Sequence, residues 1–158
     1  MTQRLVEDWL RGRVSLGAAT GWTPEEMRIV ADLGFALAEQ GRDEEAMTIF
    51  EGLAAVAPAT GYFQSALGAL RLRNGDLSRA LDHLNAALAA DPRDIAALTN
   101  RGETHMRMGN LLAAVEDLRA AVRAAETRRD AALESSLVRA RALLTRLEEK
   151  TSPTTNWR

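Results

Sequence analysis

Apolar residues recur along this chain three and four positions apart, which is the spacing of one face of an α-helix. Residues 130–149 show the pattern clearly: leucines and alanines fall on one side of a helix, and charged residues, Arg139 among them, on the outer side. Residues 1–17 are also amphipathic and precede a glycine-containing break. The pattern predicts an all-α protein with a helix at each end.

A second pattern lies over the first, because similar residues return every 34 positions. A fixed period of this length predicts helix pairs that stack into a right-handed superhelix with a concave groove. The period is carried by a first glycine ladder (Gly34, Gly68, Gly102), a second glycine ladder (Gly41, Gly75, Gly109), an alanine ladder (Ala46, Ala80, Ala114) and a large apolar ladder (Phe50, Leu84, Leu118). The predicted organisation is an N-terminal helix and linker at 1–22, three repeats within 23–128 (27–60, 61–94, 95–128), a capping helix at 129–150 and a disordered tail at 151–158.

Glycine and short polar residues predict where the helices begin and end. The second glycine ladder can take the left-handed conformation that ends the first helix of each repeat. The polar residues that follow are predicted to cap the second helices: Asp43, Asp76 and Asn110. Thr23, Pro24 and Glu26 predict a capping box at the start of the first repeat helix. The first glycine ladder lies inside helices, where Gly costs about 1 kcal/mol against Ala, so we expect the paired helix to approach closely with its alanine ladder.

Composition narrows the classes of function. The 158 residues carry a net charge of −2, which gives no field to attract nucleic acid or anionic membranes. The absence of cysteine excludes disulfides and thiolate metal sites. No apolar stretch approaches the ~20 residues that span a bilayer, and acids stand where a signal peptide would have its apolar run. We therefore expect a cytoplasmic protein that neither binds nucleic acid nor inserts into a membrane.

Catalytic chemistry has no visible basis in the sequence. His83 and His105 are the two histidines, and neither forms a metal-binding pair at helical spacing. There is no glycine-rich phosphate loop. We expect no enzyme activity, no catalytic residue, no cofactor and no metal site.

The ladders resemble the tetratricopeptide repeat. That pattern combines Leu-Gly in the first helix, Gly at its end, Ala and a large apolar residue in the second helix, and Pro between repeats. The residues that fit are Leu33-Gly34, Ala46, Phe50 and Pro58, then Leu67-Gly68, Gly75, Ala80, Leu84 and Pro92. The third repeat departs, because Arg101 replaces the Leu and Glu126 replaces the Pro, so its second helix is expected to run on.

A narrower resemblance concerns the class II chaperones of bacterial type III secretion. Residues 33–53 are similar to the first repeat of that family, and Tyr62-Phe63, Leu67-Gly68-Ala69 and Gly75-Asp76-Leu77 are similar to its second. The resemblance implies a chaperone that holds an extended segment of a hydrophobic translocator in its groove. Two alternatives remain open: a scaffold or adaptor that assembles a soluble complex, and a structural oligomer whose groove is filled by its own terminal segment.

Repeat geometry places the first helices on the concave face. The predicted groove residues are Arg28, Ala31, Phe35, Ala38, Glu39, Tyr62, Ser65, Ala69, Leu72, Arg73, Ala96, Thr99, Glu103, Met106 and Arg107. Apolar anchors of a peptide would lie beside the aromatic, leucine and methionine side chains, while Arg73 and Arg107 would meet its carboxylates or carbonyls. In the alternative interpretation Phe35 and Met106 pack against neighbouring helices and the two arginines are solvated.

Two further interactions can be predicted from a few residues each: packing of the N-terminal helix, and binding of heat-shock chaperone tails. Leu5, Trp9 and Leu10 are expected to pack either on a second subunit, which would give a homodimer, or on the first repeat of the same chain. Repeat adaptors that grip the tails of heat-shock chaperones use a clamp of Lys, Asn and Arg. The equivalent positions here are Ala31, Phe35, Ala66, Ala96 and Asn100. Only Asn100 offers a suitable donor, so we reject that function.

Overall fold

The computed structural model describes residues 22–127 and 134–151, and within these ranges all regular structure is helical. The helices are α1 (Pro24–Glu39), α2 (Asp43–Val56), α3 (Gly61–Arg73), α4 (Leu77–Ala90), α5 (Ile95–Arg107), α6 (Leu111–Thr127) and α7 (Glu134–Thr151). They form three successive pairs followed by a single helix, as the period predicted. The predicted N-terminal helix, with Leu5, Trp9 and Leu10, and the predicted tail beyond Thr151 lie outside the described residues.

Helix ends follow the predicted chemistry at most positions. The second glycine ladder has positive φ in all three repeats, at 76°, 79° and 82°. Thr23 and Glu26 form the predicted capping box at α1, and the Asp76 carboxylate accepts a hydrogen bond from the Arg79 amide at the start of α4. The prediction for Asp43 is wrong. It is the first residue of α2, that helix has no side-chain cap, and the Asp43 carboxylate instead accepts hydrogen bonds from Arg73.

The first glycine ladder allows close packing inside each pair, as predicted: the carbonyl oxygens of the expected Ala80 and Ala114 would lie 3.4 and 3.3 Å from Cβ atoms built at Gly68 and Gly102, and the large apolar side chains lie closer still. A Cβ atom built at Gly68 would lie 2.5 Å from Cγ of Leu84, and one at Gly102 would lie 2.8 Å from Cγ of Leu118. At Gly34 the nearest atoms belong to the Phe50 ring, at 2.9 Å. The glycines therefore make room for the large apolar ladder of the second helices. The alanine ladder is fully buried beside them.

The core has two clusters that meet at α3. Each helix packs against the next one, α3 also contacts α5, and α5 also contacts α7. The first cluster joins α1, α2 and most of α3, including Leu70. The second joins α4 to α7 and takes Leu72 from the end of α3. The first helices of the repeats and α7 are thereby aligned along one side of the stack.

The third repeat accommodates its departures from the pattern. Arg101 on α5 donates two hydrogen bonds to the buried Asp117 carboxylate on α6, at 2.8 and 2.7 Å, and a third to Asn85 on α4. The arginine thus joins three helices where the repeat pattern has an apolar leucine.

The second departure of this repeat, Glu126 in place of the proline, lengthens its second helix. α6 runs for 17 residues, against 14 for α2 and α4, as predicted.

Candidate functional site

A groove runs along the side formed by α1, α3, α5 and α7. It consists of two adjoining cavities of about 310 and 530 Å³. Four residues line both: Phe35, Ala66, Ala69 and Asn100. Because the walls are shared, the two cavities are halves of one trough, and α3 forms its middle.

The floor of the trough is formed by small side chains, and its wall by aromatic ones. Alanines at 38, 66, 69 and 96 keep the floor low. The Phe35 ring lies 4.9 Å from the Phe50 ring below it and 5.8 Å from the Tyr62 ring beside it. Tyr62 keeps 54% of its surface exposed, so it offers a ring face to a bound chain. A low floor beside an aromatic wall suits an extended peptide with apolar side chains.

One end of the trough is basic. Arg73, Arg107 and Arg139 line it, and each side chain is about half exposed. Their partners are the more buried carboxylates of Asp43 and Glu103. Glu103 accepts hydrogen bonds from both Arg107 and Arg139, and Arg107 also donates to the Leu72 carbonyl at 3.0 Å, near the end of α3. Three guanidinium groups against two carboxylates give this end of the trough an excess of positive charge.

The other end of the trough is acidic. Asp91 and Asp94 line it, at the turn between α4 and α5. The Asp94 carboxylate caps α5 by accepting a hydrogen bond from the Ala97 amide at 3.0 Å. Burial raises the pKa of the Tyr62 phenol, and the negative charges of Asp32 and Asp94 raise it further. The trough therefore has opposite charges at its two ends, with an uncharged middle.

The structure brings together more than half of the predicted groove residues. Those on the trough walls are Phe35, Ala38, Tyr62, Ser65, Ala69, Leu72, Arg73, Ala96 and Arg107. Those off the walls are Arg28, Ala31, Glu39, Thr99, Glu103 and Met106. Ala31 is packed in the first core cluster, Met106 rests against the second, and the Thr99 hydroxyl bonds to the Ile95 carbonyl inside α5. Arg28 forms exposed ion pairs with Glu25 and Asp32.

Several wall residues were not among the predicted groove residues. Ala66 and Leu70 on α3, and Asn100 on α5, are one helical position away from predicted ones. Asp91 and Asp94 lie in the turn that contains Pro92, where no groove residue was predicted. The placement of Arg139 on the outer face of the capping helix is wrong: its guanidinium crosses to α5 and bonds to Asn100 and Glu103. The signal for Arg139 would have been Glu103, a nearly buried carboxylate that needs a second cation.

The two histidines lie elsewhere. Nδ1 of His83 is 2.8 Å from the Gln64 side-chain oxygen, between α4 and α3. His105 lies beside Asp117, with Nε2 4.0 Å from the carboxylate. Within 22–127 and 134–151, no three metal-binding side chains come together. No helix in that part of the chain is long and apolar enough to cross a membrane.

This helical geometry is that of a tetratricopeptide-type repeat protein. A family model described as a tetratricopeptide repeat matches residues 95–128, the repeat that departs most from the pattern. A comparison with curated protein sequences found no match.

Solved structures match over most of the chain. PcrH of Pseudomonas aeruginosa, in complex with the chaperone binding region of PopD, matches with a TM-score of 0.74 and 23% identity, over 84% of this chain and 98% of its own. The type III secretion translocator chaperone SycD of Yersinia enterocolitica, in an alternative dimer, matches with a TM-score of 0.73 and 18% identity, over 82% and 97%. The first repeat domain of Spaghetti (RPAP3), bound to an HSP90 peptide, matches with a TM-score of 0.69 and 15% identity, over 81% and 94%. At these identities the likeness establishes the fold.

Proposed function

We propose that this protein is a cytoplasmic chaperone of type III secretion that holds an extended segment of a hydrophobic translocator in its trough. The observation that carries the proposal is the continuous trough with an alanine floor and the Phe35–Tyr62 wall. Its support from comparison is that PcrH, with the same fold, is seen with the chaperone binding region of PopD. No covalent step is involved, and the protein acts by binding alone.

The mechanism follows from what the trough can cover. A segment of apolar side chains laid over Ala66 and Ala69 is removed from water, and each buried Å² of apolar surface contributes about 25 cal/mol before the cost of ordering the segment. While it is covered, that segment can neither aggregate nor enter a membrane. The basic and acidic ends give the bound segment a preferred direction, with its acidic side chains towards Arg73 and Arg107.

The test is to fill the trough and leave the rest of the chain unchanged. Ala69 lies on the floor of both cavities, so Ala69→Trp places an indole where the client would lie. Ala86→Trp, at an exposed position on α4, is the matched control. Tagged wild type and both variants would be purified from the native bacterium, and the co-purifying proteins identified by mass spectrometry.

Each outcome separates two functions. The chaperone proposal expects one dominant partner with long apolar segments, lost in Ala69→Trp and kept in Ala86→Trp, that is insoluble when expressed alone. A partner that is soluble when expressed alone overturns the chaperone proposal in favour of a scaffold or adaptor. Identical partners for Ala69→Trp and wild type would show that the trough is not the binding site.

Tyr62→Ala is a milder variant with its own use. Because Tyr62 is more than half exposed, its removal leaves the core intact, whereas Phe35 packs on buried Phe50 and its removal would weaken the fold. We expect Tyr62→Ala to lower affinity for the client by about tenfold, the scale of one aromatic contact at a binding surface. Unchanged affinity would exclude the aromatic wall from the contact.

A further inference from the structure

Asn100 on α5 lies where the two cavities of the trough meet. It lines both of them, yet only 7% of its surface is exposed. The same position holds Ala66 in the second repeat and Asp32 in the first, so the repeat fold does not require an amide there. Burying an amide costs free energy unless its donors and its acceptor find partners. The side chain of Asn100 therefore needs an explanation beyond the fold.

The amide oxygen of Asn100 already has a partner. Arg139 on α7 donates a hydrogen bond to Oδ1 at 3.1 Å. Arg139 is itself held by Glu103, which also accepts a hydrogen bond from Arg107. Because a guanidinium group has donors and no acceptor, the bond to Arg139 fixes which side of the amide carries the oxygen and which the nitrogen. Arg139 thus sets the orientation of the Asn100 amide.

The amide nitrogen of Asn100 has no such partner among the described residues. The side-chain bond of Asn100 uses Oδ1, and its main-chain carbonyl accepts from the Thr104 hydroxyl. Within 22–127 and 134–151, the unpaired side-chain nitrogen and oxygen atoms that are shut off from solvent are Nε of Arg71 and Nδ1 of His105. Nδ2 of Asn100 is not one of them, so it keeps contact with solvent, and the opening that Asn100 lines is the trough. The trough therefore contains an N–H donor that is oriented but unused.

We infer that Nδ2 of Asn100 donates a hydrogen bond to a main-chain carbonyl oxygen of the bound client segment, and that Arg139 is the positioning residue that orients the amide. This inference rests on the proposed function, and it adds one polar contact to the alanine floor at Ala66 and Ala69. A carboxylate of the client is attracted to the basic end, whereas the uncharged middle of the trough suits an uncharged acceptor.

The kind of acceptor decides which segments can bind. Every residue of an extended chain offers a main-chain carbonyl, whatever its side chain, whereas an α-helix uses its carbonyls internally. Asn100 would therefore favour an extended client segment over a helical one without reading its sequence. The apolar floor and the aromatic wall would then supply the preference for particular side chains.

The probes for the test are short peptides, selected from a random library for binding to the full-length wild type and not to Ala69→Trp. Their affinity would be measured by fluorescence anisotropy for wild type, Asn100→Leu, Asn100→Asp and Asn85→Leu. Asn100→Asp removes the donor but keeps an acceptor for Arg139. Asn85 is the matched control, because it is an exposed asparagine on α4 whose Oδ1 also accepts a hydrogen bond from an arginine. Circular dichroism checks that the variants are folded.

The inference expects both Asn100 variants to raise the Kd about tenfold, because a carbonyl covered by the trough is left without its donor. Asn85→Leu should leave the Kd unchanged. Wild-type affinity in either Asn100 variant overturns the inference, while peptides that still require the open trough leave the proposed function standing. If no peptide distinguishes wild type from Ala69→Trp, the proposed function and this inference both fail.

Two further measurements separate a contact with the peptide from support of the fold. In ¹H–¹⁵N spectra of the wild type, the Nδ2 proton signals of Asn100, identified by their absence from Asn100→Leu, should shift when peptide is added; unshifted signals at saturation overturn the inference. Arg139→Met should weaken peptide binding, and Arg139→Lys, which keeps an N–H donor, should restore most of it. Equal losses in these two variants would overturn the positioning role of Arg139.

Discussion

Replacing Gly68 by alanine tests the close packing of α3 on α4. Alanine inside a helix is favoured over glycine by about 1 kcal/mol, so the change would stabilise an isolated helix. In this protein the new methyl group would lie 2.5 Å from Cγ and 2.7 Å from Cδ2 of Leu84, which is fully buried and cannot move aside. Such overpacking costs about 1–3 kcal/mol. We expect the overlap to exceed the helix preference, and Gly68→Ala to lower the free energy of unfolding by up to roughly 2 kcal/mol.

Measuring Gly68→Ala in a Leu84→Ala variant as well makes the explanation refutable. Leu84→Ala alone should cost about 2–5 kcal/mol, because it leaves a cavity beside Gly68. In that background the overlap is gone, so Gly68→Ala should now stabilise the protein by about 1 kcal/mol. Urea unfolding of the four proteins, followed by far-ultraviolet circular dichroism, gives the coupling energy directly. If Gly68→Ala has the same sign in both backgrounds, the contact with Leu84 does not explain the glycine.

Three further predictions concern single positions. Arg101→Leu restores the residue of the repeat pattern, yet it should lower the free energy of unfolding, measured with urea, by about 1–3 kcal/mol, because it removes the guanidinium that pairs with the buried Asp117 carboxylate. Arg28→Leu, at an exposed ion pair, should change that free energy by less than about 0.5 kcal/mol, and equal effects of the two variants would contradict the argument. Burial lowers the pKa of His83 because it disfavours the charged form, so the unfolded chain binds that proton more tightly. The free energy of unfolding should therefore fall as the pH drops through 6.5, the ordinary pKa of the group. His83→Gln should flatten this part of the plot of unfolding free energy against pH. An unchanged plot would exclude His83 as the source of the pH dependence. Gly109→Ala should lower the free energy of unfolding by about 1–2 kcal/mol, and Gly109→Asn should lower it less, because φ is 82° and no atom lies near a new Cβ. Thermal unfolding measures both variants. Equal decreases in stability would refute an explanation by backbone conformation alone.

Much of the fold could be predicted because each repeat marks its own helix ends. The second glycine ladder and the Thr23 capping box act through local backbone geometry, which can be read from a few neighbouring residues. The role of Asp43 could not be predicted from its neighbours, because its partner, Arg73, is thirty residues away. A short polar residue near a helix start caps it by default, unless a distant cation offers its carboxylate a better contact.

The trough was harder to predict because one residue along a helix is a rotation of about 100°. Thr99 was placed on the concave face, yet its neighbour Asn100 lines the trough while Thr99 bonds to its own helix. Periodicity identifies the concave helices but fixes their rotation only to about one position. Arg139 was missed for a different reason, since its direction is set by Glu103 on another helix and by no property of α7 itself.

The meeting of two core clusters at α3 has a consequence for cooperativity. A stack whose halves share one helix can lose one half while the other persists, since each repeat is stabilised mainly by its neighbours. The trough crosses that junction, with Ala66 and Ala69 at its centre. A segment bound there would contact both halves and couple their unfolding, so that the loaded protein unfolds as one unit. Proteases that cleave partly opened chains would then remove the protein with an empty trough faster than the protein with a filled one.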